Sequence, residues 1–573
     1  MIKARIKAED PNAQMGSYSN FYRAFAWDDI HRELRRSPGE PLNIVAYAID
    51  RWAEDPEHGQ RPALVFDRAG EARSWTYAQL QTISSQWGAM LLDLGLKAGD
   101  RLFIFVPPCP EIYFAMLGCA RVGIIFCPLY PTLGFDELDQ RIRNASPRAL
   151  LTHPETVETL PPEVLGPVEH VLFTEGPLPR VFNRETLIPQ RLPGGTTILP
   201  PVLLAEDSPL YLIYTSGSTG PPKGVVHAHR DLAGHLMTGR YVLDLSPGTV
   251  LWTDGHPAWV MATVYSTFAP WLCGATSVVL GDPFSASNCY RTLERHKVSV
   301  WYTTPMTIKK LMEAGEDLPT RYDLSNLRHV LTVGEALAPE HFYWVRSHLQ
   351  HSPHDTWWMS ETGMICFANF PSMDIKPGSM GRPVPGIEAS VLDEKGEPLP
   401  FLSMGELALK TPWPALMTGI WQDRERFLAY FPFEGWFSTG DMVIMDEEGY
   451  YYHQGRMDDL IKIGEKVIGP FEIEHILFQH PAVAESAVIA KTAQPNQPHL
   501  KAFVKLNTGI APSGRMNQEI KAFVKANLSP DTPLREVEFV DNLPKTSAGK
   551  LLRRVLRARE LGLPTGDPSR MQD

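Results

Sequence analysis

The strongest constraint on the fold of this chain is an alternation. Short apolar runs of strand length give way, repeatedly, to segments of helical periodicity. RLFIFVPP (101–108) is followed by EIYFAMLGCARVG (111–123), whose apolar positions suit a helix, and then by IIFCPLY (124–130). HVLFTE, LYLIYT, VSVWYTT and LRHVLTVG are further short apolar runs bounded by polar residues. Runs that are apolar throughout, rather than apolar at every second position, belong to strands covered on both faces. The expectation is an α/β chain: a large N-terminal domain of α/β subdomains with mixed sheets flanked by helices.

A chain of 573 residues exceeds what one hydrophobic core sustains. The clearest change of pattern lies near 455–460. Downstream, GPFEIEHILFQHPAVAESAVIAK reads as helix then strand, KAFVKLN as a strand, MNQEIKAFVKANL as a helix and REVEFVD as a strand. This predicts a large domain over 1–457 and a small α+β domain over 458–573. A formal net charge of −12 argues against a nucleic-acid partner bound through phosphates. No run of 18 apolar residues predicts a membrane span, and MIKARIKAEDPN lacks the apolar core of a signal peptide. The six cysteines form no C-x-x-C pair and sit mostly in apolar segments, so buried free thiols and a cytoplasmic, reducing setting are expected.

The most informative loop is TSGSTGPPKG (215–224), after the strand-like LYLIY. Gly217, Gly220 and Gly224 permit close backbone approach. Thr215, Ser216, Ser218 and Thr219 supply hydroxyls, successive N–H groups can face an anion, and Lys223 adds a point charge. It is not an ATPase P-loop. Pro221 and Pro222 precede the lysine, and Gly224 stands where that motif needs a hydroxyl. Nor is HRDL (229–232) a kinase catalytic loop, because Leu236 replaces the required asparagine and no DFG follows. His227 and His229 form H-x-H, but no third ligand pattern accompanies them.

Residues 215–224 resemble the phosphate-binding signature of the adenylate-forming enzymes, the superfamily of acyl-CoA synthetases, luciferases and adenylation domains. Further signatures follow in that family's order. TWWMSETG (356–363) resembles the adenine and magnesium segment, PGSMGRPVPG (377–386) the central proline-glycine segment, and FSTGD (437–441) the ribose-binding strand. GRMDDLIKIGEKV (455–467) resembles the hinge and the loop beyond it, and LPKTSAGKLLRR (543–554) the loop with the catalytic lysine. The resemblance spans about residues 20–570. Within the superfamily, HDTWWMSETG, AWVMATVYSTFAPWLCGAT (258–276), NIVAYAIDRWA (43–53) and DIKPGSMGRPVPGIEA are most similar to the acetate-activating acyl-CoA synthetases.

The resemblance implies a ligase that uses ATP, Mg2+ and coenzyme A: acid and ATP give an acyl-adenylate and pyrophosphate, then the CoA thiol displaces AMP. Two anions meet in the first half, so positive charge is needed at the reacting centre. By resemblance Lys550 supplies it from the mobile domain, with Asp458 as the hinge. Lys223 and Glu361 complete the catalytic set, and Thr219 and Glu361 would serve the metal. Nucleotide contacts would come from Thr215, Ser216, Gly217, Ser218, Thr219, Gly220, Gly334, Glu335, Ala336, Asp355, Thr356, Trp357, Met359, Ser360, Asp441, Arg456 and Lys466. Trp358 would cap the acid pocket, with Trp259, Val260, Met261 and Val333 lining it, and Gly464 would sit on the CoA side. Lysine acetyltransferases and deacetylases acting on Lys550 are partners the resemblance brings with it.

Several positions depart from the acetate pattern. Met261 replaces a threonine, His256 an aspartate, Ala336 a proline and Met359 a glutamine. At 461–469 the usual S-G-x-R-V is absent, and a one-residue shift restores Gly464 and Lys466 but leaves a lysine where arginine's fork is expected. Three alternatives stay open: a synthetase for propionate or another small acid, an enzyme loading a separate carrier, and a catalytically dead nucleotide-binding protein.

Overall fold

The computed structural model describes residues 5–8, 10, 13–158, 160–161, 163–176, 185–215, 222–457, 461–463, 466–468, 470–491, 499–528, 534–545 and 551–561. The chain forms two compact units, Met1–Glu388 with Lys410–Gly435, and Ala389–Leu409 with Trp436–Asp573.

The first unit contains two large mixed sheets. One has nine strands, and its centre runs Pro353–Trp357, His329–Thr332, Val300–Thr303, Val250–Thr253, Thr276–Leu280 and Pro62–Arg68. All of these pair in parallel, and only the outer strands are antiparallel. Val300–Thr303 and His329–Thr332 are buried at every residue, which is why VWYT and HVLT read as unbroken strand-like runs. The other sheet has eight strands, with Arg101–Phe105, Ile125–Pro128 and Pro209–Thr215 near its centre. At one edge Pro209–Thr215 pairs antiparallel with Lys223–Ala228, which pairs in turn with Gly419–Ile420.

The helix expected after Arg101–Phe105 forms over Glu111–Val122, buried at all but its first residue. A helix apolar on every face belongs inside a domain. Its one buried charge, Arg121, is paired with Asp50 at 2.6 Å and bonded to Ser84 Oγ and the Leu199 carbonyl. That completeness keeps a buried ion from being a large penalty. A second helix, Tyr77–Asp93, opens with a reciprocal capping box between Thr76 and Gln79. All six cysteines are free and five are buried, with burial pushing their thiols up and out of the reactive range.

The second unit holds a four-stranded sheet in the order Ala389–Leu392, Met404–Lys410, Trp436–Met445, Tyr451–Arg456. It also holds a short pair, Ile461–Ile463 with Lys466–Ile468, and a three-stranded sheet of Val483–Lys491, His499–Leu506 and Leu534–Phe539. Helices Pro470–Phe478 and Gly514–Asn527 supply Ile473, Leu477, Ile520 and Val524 to a core shared with that sheet. The helix and strand order read from the sequence after 469 is the order observed.

Candidate active site

In the nine-stranded sheet, the carboxyl ends of the parallel strands gather the residues singled out in the sequence. Open α/β sheets bind their ligands at such ends. Trp259 and the segment from Val260 follow Val250–Thr253, Val333 and Gly334 follow His329–Thr332, and Trp358 follows Pro353–Trp357.

Trp358 is 9% exposed and firmly held. Its indole N–H donates to Tyr302 Oη at 3.1 Å, and its ring meets Tyr265 edge-on with centroids 5.3 Å apart. Tyr265 lies one turn beyond Met261, in a stretch where the helix widens into a π-turn over Val264–Phe268. Val260, Met261 and Val333 are buried. Gly334 has φ 103°, and a Cβ there would sit 3.4 Å from the Trp259 indole. The positive φ is what calls for glycine here, since the ring leaves room for ordinary contact.

Asp355 and Thr356 turn their side chains into a buried network. Thr332 Oγ1 donates to Asp355 at 2.8 Å, Thr356 Oγ1 donates to the Thr332 carbonyl, and Tyr302 Oη lies 2.8 Å from Thr356 Oγ1. Burial pushes the Asp355 carboxyl up to about 7, against hydrogen bonds that favour its ionised form. Trp357 packs edge-on against Phe367, and the Met359 N–H donates to Thr362 Oγ1. Glu335 is exposed and Ala336 half-buried.

Glu361 forms the charged centre of the unit. Its carboxylate is 2.6 Å from Lys223 Nζ and accepts from Tyr430 Oη at 2.9 Å. Burial opposes its ionisation, yet the Lys223 ammonium and the hydrogen bonds from Lys223 and Tyr430 outweigh it and hold the carboxyl below its ordinary value. Lys223 is in place because it opens the strand paired with Pro209–Thr215, directly opposite Thr215. Among the described residues, buried Thr215 Oγ1 has no hydrogen-bond partner. The turn carrying Glu361 is anchored from beneath. His227 Nε2 lies 2.7 Å from the Ser360 carbonyl, and its Nδ1 lies 2.7 Å from Asp231. A Cβ at Gly363, where φ is 68°, would come within 2.7 Å of the His227 ring. His229 Nδ1 accepts from the Ile44 N–H, so both histidines of H-x-H contact the backbone. Among the described residues no group of three or more His, Cys, Asp or Glu is arranged to hold a metal.

The departures at 254–261 form a local set. Asp254 accepts from Thr303 at 2.6 Å and Thr307 at 2.8 Å, and burial pushes it up to about 6. His256 stacks on Tyr130 at 5.5 Å and accepts from the Ala258 N–H, with burial pushing it down to about 4. Both line a cavity of about 190 Å³ that does not include Glu361, Lys223 or Trp358.

In the second unit, Asp441 and Arg456 face each other across strands Trp436–Met445 and Tyr451–Arg456. Arg456 Nη1 donates to Asp441 at 2.7 Å and to the Thr439 carbonyl, and His453 Nε2 lies 3.4 Å from the other Asp441 oxygen. Lys466 opens a strand with Ile463 as its cross-strand partner. Ser216, Gly217, Ser218, Thr219, Gly220, Asp458, Gly464 and Lys550 lie outside the described residues. Tyr430 and His453 were missed from sequence. Neither sits in a recognisable motif: His453 meets Asp441 across a strand pair, and Tyr430 is brought to Glu361 by the turn after the helix Arg424–Leu428.

The buried pair joins a lysine at the start of one strand to a carboxylate just beyond the carboxyl end of another, an arrangement that can serve a phosphate-bearing ligand. The comparisons agree. The AMP-binding enzyme family matches residues 50–421, and the AMP-binding enzyme C-terminal domain matches residues 472–550. The chain is 40% identical over 572 residues to the acetyl-coenzyme A synthetase of Bacillus subtilis, covering 99% of each. A crystal structure of an anthranilate CoA ligase in complex with anthranoyl-AMP superposes with TM-score 0.83 at 28% identity, over 94% of this chain and 99% of that one. The acetoacetyl-CoA synthetase of Streptomyces lividans shares the fold with TM-score 0.89 at 22% identity, over 99% and 97% of the two chains. The chain belongs to the AMP-binding, adenylate-forming enzymes, and within them to the acyl-CoA synthetases. It is an ATP-dependent, AMP-forming acid–thiol ligase that uses coenzyme A.

Proposed function

We propose that the acid is acetate, or an acid only slightly longer. The observation that carries this reading is the fixed indole of Trp358, clamped by Tyr302 and Tyr265. A rigid ring that closes a pocket rejects longer chains by overlap, whereas a missing methylene costs only about 1–3 kcal/mol. The 40% identity to a protein named acetyl-coenzyme A synthetase supports the same choice. Met261, where the family has threonine, makes propionate the second reading.

Lys550 neutralises the approach of carboxylate to the α-phosphorus. Its acetylation would remove that charge and silence the first half-reaction. Asp441 and Arg456 bind ribose and phosphate, Trp357 flanks adenine with Gly334, Glu335 and Ala336 at its edge, and the loop from Thr215 to Gly220 receives the phosphates. Asp355, Thr356, Met359 and Ser360 form the wall behind the nucleotide. Lys466 contacts phosphate, Gly464 belongs to the CoA side, and rotation at Asp458, between domains 1–457 and 458–573, exchanges the Gly464 loop for Lys550.

Glu361, a buried carboxylate held ionised, fits magnesium, which binds through one or two carboxylates plus substrate phosphates. Glu361, with Thr219, would hold the ion, and the ion supplies charge neutralisation on the phosphates. The test is pyrophosphate release from ATP with a panel of acids from acetate to hexanoate, with and without CoA. Acetate should give the highest kcat/KM. Release that ignores the acid offered refutes the assignment, and acid-dependent release that stops at one equivalent per chain whether or not CoA is present points instead to a separate carrier.

A further inference from the structure

Tyr430 closes a triangle with the charged pair. Its hydroxyl donates to the same Glu361 oxygen that Lys223 approaches, at 2.9 and 2.6 Å, and it also contacts the ammonium. Lys223 Nζ lies 4.8 Å from the Tyr430 ring centroid. The side chains of Lys223 and Glu361 are only 11% and 6% exposed. Tyr430 arrives there by topology. Gly419–Ile420 pairs with the strand that Lys223 opens, and a short helix, Arg424–Leu428, capped by the Asp423 side chain, returns the chain to that strand's first residue.

Each charge in this triangle is the other's counter-ion. In the reaction proposed above, both acquire different partners: the lysine serves nucleotide phosphates and the carboxylate serves a divalent cation. If phosphates arrived without a cation and drew Lys223 away, Glu361 would be left buried, uncompensated and facing a polyanion. Removing one partner of a buried pair is strongly unfavourable. A cation that arrives with the phosphates replaces the lysine and avoids that state. Through the exchange, only a neutral donor can stay on the carboxylate without opposing the incoming cation, and the Tyr430 hydroxyl is such a donor.

We propose that Lys223 and Glu361 form an exchangeable lock on the phosphate site, and that Tyr430 is the positioning residue that keeps Glu361 aimed while its partner changes from ammonium to divalent cation. This rests on the assignment of Lys223 and Glu361 to phosphate and cation. It makes nucleotide and cation binding mutually dependent, and it gives the uncharged Tyr430 a share in that dependence.

The test is calorimetric binding of α,β-methylene-ATP, which cannot react, to the full chain without acid or CoA, in EDTA and in saturating Mg2+. Mg2+ should tighten binding to the unaltered chain at least tenfold. Glu361→Gln should bind more tightly than the unaltered chain in EDTA and lose most of the Mg2+ effect. Tyr430→Phe should keep its EDTA affinity within about twofold, yet lose roughly threefold to tenfold of the Mg2+ effect, the net range of a typical intramolecular hydrogen bond. Tyr430→Gln, which restores a donor but not the ring, should recover at least half of that loss. If Tyr430→Phe retains the full Mg2+ effect while Glu361→Gln loses it, or if Gln is no better than Phe, the positioning role is overturned. If Glu361→Gln retains the effect, the underlying assignment of Glu361 fails instead.

Discussion

Replacing Trp358 by glycine offers a quantitative test of how acid length is chosen. The indole is nearly buried, donates one hydrogen bond to Tyr302 and packs edge-on against Tyr265. Its loss removes the donor to Tyr302 Oη, whose own hydroxyl still bonds Thr356 Oγ1 and so keeps one partner. The main structural penalty is the cavity, about 3–5 kcal/mol for a large aromatic. The variant should therefore melt at a clearly lower temperature and still fold if the chain has ordinary stability. An acid that refills the space recovers about 0.8 kcal/mol per methylene. Butyrate carries two more methylenes than acetate, so it gains about 1.6 kcal/mol, or roughly 15-fold in kcat/KM relative to acetate. Hexanoate gains about twice that energy, until the chain outgrows the cavity. The assay is pyrophosphate release across the acid series, with each kcat/KM divided by that for acetate. An unchanged ranking, with activity falling uniformly, would refute the placement of Trp358 against the alkyl chain.

Lys550→Ala should lower adenylation at least ~100-fold, the scale for losing a positioned charge stabiliser, yet largely spare thioester formation from supplied acyl-adenylate; equal loss in both halves would contradict its role. Asp441→Asn should raise KM for ATP by about tenfold to a hundredfold, the scale of a hydrogen bond to a charged group, and leave KM for the acid within about twofold; paired substrate titrations distinguish the two. Asp355, buried and pushed up to about 7, binds its proton more tightly folded than unfolded. Its stabilising contribution is complete below the unfolded carboxyl pKa and is lost as pH rises through about 7. His229 and His235, pushed down to about 4 by burial, act oppositely: stability is full above the unfolded imidazole pKa and falls as pH drops toward 4. Denaturant melts of Asp355→Asn should thus show a gain relative to the unaltered chain that grows by a few kcal/mol between pH 5 and 8; a constant difference would show that Asp355 is ionised throughout.

How far sequence could reach follows from the range of each interaction. Strands covered on both faces, such as Val300–Thr303, announce themselves because every residue must be apolar or small. The helix Glu111–Val122 does so because apolar residues run nearly all the way round it between Glu111 and Arg121. Glycines at 334 and 363 stand where a side chain cannot, so their motif remains legible in single letters. What stayed hidden depends on partners distant along the chain. Nothing in HPAWVMATVYSTF marks a π-turn at Val264–Phe268, since the periodicity differs from that of an α-helix only through local crowding. The strands Ala389–Leu392 and Met404–Lys410 belong to the second compact unit, although the chain between Lys410 and Gly435 belongs to the first. A boundary read from composition near 457 has no access to such a crossing, because each strand alone looks like any other. Tyr430 is the sharpest case. Within LAYFPFEG it is one aromatic among several, and only the pairing of Gly419–Ile420 with Lys223–Ala228, followed by the turn after the helix Arg424–Leu428, brings it to Glu361. A motif records side chains that meet the ligand in a fixed local frame. A group that serves the motif from another strand leaves no spacing to find, so it emerges only when the question becomes which neutral donor can remain on a carboxylate whose charged partner must leave.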